Sequence, residues 1–156
     1  VDDLIENVSN FQVFLNHESI LKNKFDVIDI QNDVASFMLK FKGIGKTFTA
    51  QALKQAVFTD GISANIQRGF NHSRSGDVMF VLESGWIKSG YKTGTTHGSP
   101  YEYDTHVPLL WYGYTIPQGE TADQVVIPDI ASTLATLLNI IAPSSCTGKP
   151  INNLLK

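Results

Sequence analysis

Between Gly94 and Gly113 the chain reads GTTHGSPYEYDTHVPLLWYG, setting the imidazoles of His97 and His106 around the carboxylates of Glu102 and Asp104. Imidazole nitrogen and carboxylate oxygen are donors that suit zinc. The spacing is neither that of a histidine pair on one helix face nor that of a zinc finger, and a loop histidine is commonly only polar surface. These residues therefore do not by themselves spell a complete metal site. Tyr101, Tyr103, Trp111, Tyr112 and Tyr114 read as core and rim packing beside an apolar run, with hydroxyls seeking hydrogen-bond partners.

Other motifs carry less chemistry. GIGKT, Gly43 to Thr47, matches only the end of a phosphate-binding P-loop. The glycine required upstream is replaced by Lys40, and a helix precedes the loop where a strand should. It reads as a helix stop. ESGWIKSG places serines near glycines without the strand–Gly-x-Ser-x-Gly–helix elbow of a serine hydrolase. NVS at Asn7 and NHS at Asn71 fit the glycosylation acceptor pattern, which is frequent by chance. RSGD, Arg74 to Asp77, reads as a turn before a strand.

The elements that must position these groups follow from periodicity. Leu4, Ile5 and Val8 share a helical face, predicting the end of a helix over 1–8. FQVFL, 11–15, reads as a strand. Val34, Phe37, Met38 and Phe41 predict a helix over 32–41, with Asp33 near its start and Gly43 and Gly45 beyond its end. KTFTA, 46–50, reads as a short strand, DGISANIQRGF, 60–70, as a helix, and Val78 to Leu82 as a buried strand. A glycine-rich loop, 84–100, separates that strand from HVPLLWYG, 106–113, expected as a second buried strand. DQVVIP, 123–128, is expected as a strand, and DIASTLATLLNII, 129–141, as a helix opened by Asp129 after Pro128. Helices alternating with strands predict an α/β layer arrangement: a mixed β-sheet with flanking helices.

Composition narrows the function. In 156 residues, 42% are hydrophobic and 17% charged, as in a globular protein able to bury a core. The net charge is −3 and no Lys/Arg run occurs, so no nucleic-acid-binding surface is evident. No apolar run is long enough for a membrane span. Cys146 is alone, which rules out an internal disulfide. The opening VDDLIENV has neither an initiator methionine nor a signal-peptide profile, and is expected to be either the start of a processed mature protein or a cut within a longer one.

Three stretches in order, RSGDVMFVLESGW, GTTHGSPYEYDTHVPLLWYG and IPDIASTLATLLNIIAPSSCTGKPI, together resemble the C-terminal part of the alkaline phosphatase superfamily. The likeness runs from about Arg74 to Ile151 and is to its single-chain bacterial branch of phosphatases and type I phosphodiesterases. The resemblance implies the C-terminal part of an alkaline phosphatase-like fold and a zinc-dependent phosphoric ester hydrolase using two zinc ions. It implies one metal ligand here, His97 of THGS, with no catalytic residue in this chain. Asp104 and His106 would orient the loop and its histidine by hydrogen bonds rather than bind metal. It also implies a periplasmic or secreted enzyme, with a phosphate-ester substrate and the remainder of a parent chain as partners. The nucleophile and Asp-His-Gly motifs are missing, and Ser132 stands where the family's usual Asp-Ile-Ala-Pro-Thr has proline.

On this reading 1–156 is a single α/β unit and a fragment of a larger enzyme, inactive alone. Residues 11–82 form a helix–strand subregion, and 83–156 carry the metal-site loop, a core strand and the C-terminal helix. The same missing motifs also suit a non-catalytic scaffold or interaction module of that superfamily.

Overall fold

The structure, a computed structural model, describes residues 3–90, 92–113 and 115–155. By its contacts the chain divides into two compact units, Val1–Val107 and Pro108–Lys156.

The first unit is built on a four-stranded sheet of order β1-β2-β4-β3, with β1 at Ile5–Ser9, β2 at Gln12–Leu15, β3 at Ile44–Thr49 and β4 at Val78–Leu82. The α/β class is as expected, and the three pairings are all antiparallel. Where the sequence predicts a helix end over 1–8, Ile5–Ser9 form β1 instead, and Val1 and Asp2 lie outside the described residues. Its apolar spacing fits either element, and a two-residue hairpin decides. Asn10 and Phe11 both have positive φ, 49° and 59°, and Ser9 faces Gln12 across the turn. Two left-handed residues twist the hairpin in the sense that strands prefer.

Helix α1, His17–Lys22, is capped by the Asn16 side chain, which accepts from Ser19 N. Helix α2, Val27–Met38, starts earlier than the apolar stripe suggests. Its cap is Asp26, whose carboxylate accepts from Ile28 N at 2.7 Å and Asp29 N at 3.2 Å, so Asp33 lies inside the helix. Thr49 caps α3, Ala50–Gln55, and α4 runs Gly61–Gly69 as expected.

Alternation along β2 and β4 sends Val13, Leu15 and Val78 inward, where they meet Ile20 of α1 and Ala35 of α2. A second cluster joins Phe48, Leu53 and Val81, with Phe58, Ile62, Ile66, Phe70 and Tyr101 packed against it. Asp77, at the foot of β4, ties these elements together. Its carboxylate accepts from Leu15 N at 2.9 Å, His17 Nε2 at 2.8 Å and Gln31 Nε2 at 3.2 Å.

The second unit is organised around α6, Pro128–Leu137. Asp129, Ser132 and Thr133 lie three and four residues apart, hence on one face, and the tail laces along them. Asp129 accepts from Lys149 N, Ser132 Oγ donates to Gly148 O, and Thr133 Oγ1 accepts from Ile151 N. Ser132 thus supplies a hydroxyl that holds the tail. A side chain at Gly148 would collide with the Pro128 carbonyl.

The expected strands at 106–113 and 123–128 are irregular here. A strand needs a neighbour to complete its ladder, and no described strand pairs with either segment. Leu110 and Tyr112 are almost wholly exposed. The segment is apolar, but the pattern does not encode a partner for it. Tyr114 lies outside the described residues.

Candidate metal-ligand loop

β4 ends at Leu82, and the chain then leaves the sheet in a loop carrying His97. The described residues from 83 to 98 are all exposed. Both ends of this loop are nevertheless fixed. At its start, Glu83 N donates to Gly43 O at 2.8 Å, and Trp86 lies against Gly43 with Lys42 Nζ 5.7 Å from its ring centre. At its end stands one helical turn, α5, Glu102–Thr105.

That turn and the residue before it present three polar side chains to the loop. Tyr101 Oη donates to Leu82 O at 2.9 Å, Tyr103 Oη accepts from Gly85 N at 3.2 Å, and Asp104 Oδ2 accepts from Ser99 N at 2.8 Å. The two tyrosine rings stack, with centroids 5.5 Å apart and planes within 11°. Tyr101 is therefore both packing, through its ring on the second core cluster, and tether, through its hydroxyl.

His97 is exposed, two residues before the amide that Asp104 holds. Gly98 has φ 102°, a conformation that side-chain-bearing residues rarely adopt, so the turn after His97 depends on glycine. The Ser99 hydroxyl and then its amide hold the Asp104 carboxyl below the usual carboxylate range, and the nearby His97 ring adds attraction. The Ser99 hydroxyl is buried without a well-formed hydrogen bond, so the amide contact is the one that defines the geometry. Tyr103 is likewise lowered below the ordinary phenol range, first by the Gly85 amide and then by the Ser99 side chain. His106 is exposed at the end of α5, where its backbone N–H returns to Glu102 O at 2.8 Å.

Among the described residues, no three His, Cys, Asp or Glu side chains come together as a metal site. A catalytic zinc takes three protein ligands and an open position. An exposed imidazole beside a glycine turn suits one ligand of a shared site. The tethers Tyr101 and Tyr103 were not singled out for this role by sequence, because their partners are backbone groups.

No protein-family profile matches the chain. It is 30% identical over 154 residues to alkaline phosphatase PafA of Elizabethkingia meningoseptica, covering 99% of this chain and 28% of that protein. It is 32% identical over 149 residues to alkaline phosphatase PhoV of Synechococcus elongatus, covering 96% of this chain and 27% of that one. A calcium-transporting ATPase of Myroides odoratus is 32% identical over 158 residues, with 100% and 29% covered. The crystal structure of wild-type PafA superposes with a TM-score of 0.90 at 30% identity, covering 99% of this chain and 30% of that one. Over nearly its whole length the chain is similar, in sequence and in fold, to a portion of these alkaline phosphatases. It spans less than a third of the length of the curated relatives it matches. No helix among the described residues is long and apolar enough to cross a membrane.

Proposed function

We propose that this chain is the C-terminal region of a zinc-dependent phosphatase of the periplasm or cell exterior, acting on phosphate monoesters, with phosphodiesters as the alternative ester class. The observation that carries the reading is its near-full-length likeness, in sequence and in structure, to alkaline phosphatase PafA. His97 contributes one ligand to a two-zinc centre whose other ligands, and whose nucleophile, come from the remainder of the parent chain. When bound, such a pair of ions activates the nucleophile and stabilises the leaving oxygen. The work of this chain is positional. The β4–α5 scaffold presents the imidazole, Gly98 turns the chain beside it, and Asp104 holds the following amide. Alone, the chain is inactive, because one histidine does not retain a catalytic zinc.

The test is zinc content and phosphate monoester hydrolysis of the full-length parent beside its His97→Ala variant. The variant should lose zinc and rate by more than the roughly 10–100-fold typical of removing an outer partner of a ligand. Unchanged zinc and turnover in His97→Ala would sink the assignment.

A further inference from the structure

Exposed apolar side chains are ordinary on a protein surface, and open backbone groups are ordinary in a loop. Their coincidence in one segment is not. Over 117–122 no described residue makes a backbone hydrogen bond, but the sequence there, PQGETA, is mostly polar and suits water. Leu138 and Ile140 are apolar and exposed, but their N–H groups return to Leu134 O and Ala135 O. Over 109–112 both conditions meet. Among the described residues, no backbone N–H or C=O of Leu109, Leu110, Trp111 or Tyr112 has a hydrogen-bond partner. Leu110 and Tyr112 are almost wholly exposed while Trp111 between them is half-buried, the alternation of a strand with one face uncovered. We propose that 108–112 is a strand of a sheet whose other strands lie in the remainder of the parent chain. The inference rests on the reading of this chain as one region of a larger phosphatase, and names a surface by which that region joins the rest.

The occupant follows from what the segment needs. Along an extended strand successive backbone groups point to opposite edges, so four consecutive open residues call for a neighbour on each side. The unit that holds the segment supplies neither, since its described elements are α6 and one 3₁₀ turn, Asn152–Leu154. A second copy in a two-fold dimer would set the segment against its own image, covering one edge and leaving the other open. The remaining chain is long enough to cover both. Alkaline phosphatase PafA matches 99% of this chain with only 28% of its own length, so more than two-thirds of a parent of that size lies elsewhere. Composition points the same way. The run VPLLWY, 107–112, has no charged residue, as in strands covered on both faces, whereas an edge strand left to solvent is commonly guarded by charge. Pro108 stands at the start of the segment, where a strand tolerates the loss of one N–H.

Amide exchange in the unmodified full-length enzyme tests the strand without any variant. Corrected for intrinsic rates, Leu110, Trp111 and Tyr112 should exchange at least about 1,000-fold more slowly than Gly119 and Glu120, as paired core strands do. Rates within about tenfold of those two amides mean an open segment and overturn the proposal. The occupant is read by a photo-crosslinker in the full-length enzyme, Tyr112→p-benzoylphenylalanine. On irradiation it should bond within the same chain to a residue outside 1–156. A bond between two chains means a second copy covers the segment, and a bond inside 1–156 means this chain covers itself; either result overturns the proposal. His97→Ala, measured for zinc alongside, separates this inference from the site reading. Slow exchange and the expected crosslink in an enzyme whose His97→Ala variant keeps its zinc support the strand and remove the ligand assignment. Rapid exchange at the three amides with zinc lost in His97→Ala removes the strand alone.

Discussion

The two units keep their order by different means. The sheet unit buries Val13, Leu15, Ile20 and Val78 almost completely, and polar groups such as Asp77 serve mainly to register strands around that core. Among the described residues around α6 the most deeply buried side chain is a threonine. Thr133 Oγ1 donates to Asp129 O and accepts from Ile151 N, while Leu138, Ile140 and Ile141 stay exposed. The first unit is held by non-directional apolar burial. The second is held by directional bonds between one helix face and the tail. The contrast also bears on function, since the candidate ligand loop grows from the unit with the apolar core.

Breaking the apolar side should have the largest effect. Leu15 is 2% exposed, and Leu15→Ala removes its contacts and leaves a cavity, costing about 2–5 kcal/mol. In the full-length enzyme, amide exchange should rise across β2, β4 and α1, while the amides around α6 stay as they were. Thr133→Val preserves shape in the second unit and removes one acceptor and one donor. Leaving Ile151 N–H without its partner should cost about 1–3 kcal/mol, with faster exchange at Ile151 and Lys149. Equal exchange in both units for either variant would show that the two means of stabilisation are not separate.

The apolar unit was also the more legible of the two in the sequence. The runs at 11–15 and 78–82 announce β2 and β4 because alternation and continuous apolarity reflect burial directly. The first strand is ambiguous in the sequence because Leu4, Ile5 and Val8 suit a helix as well as a strand, and the deciding turn at Asn10–Phe11 has no glycine to mark it. At 106–113 the pattern reported apolarity and could not report the missing neighbour. The site was less legible still. His97 stood out only through family resemblance, and no spacing rule leads from Tyr101, Tyr103 or Asp104 to their partners. Those partners, Leu82 O, Gly85 N and Ser99 N, are backbone groups whose places depend on the path of the loop and not on residue identity. The same holds for the lacing of the tail, where Thr133 and Ser132 look like ordinary helix residues until the tail lies over them.

The smallest expected effect sharpens the contrast most directly. The Asp129 carboxylate accepts from Val126 N at 2.9 Å and from Lys149 N at 2.8 Å, and those two amides, Val126 first, hold its pKa below the usual carboxylate range. A carboxyl depressed in the folded state gives stability that is complete above its unfolded value, about pH 4, and that fades as pH falls through the folded value. Acid should therefore loosen the α6 unit at its two lacing points, whereas the burial of Leu15 and Val78 in the sheet core rests on apolar contact. Exchange at Val126 and Lys149, corrected for intrinsic acid dependence, should rise together as pH drops below 4. Asp129→Asn should already show the faster rate at neutral pH and a flatter acid profile. If the amides of β2 and β4 rise in the same step, acid acts on both units alike, and the distinction between an apolar core and a hydrogen-bonded clasp fails.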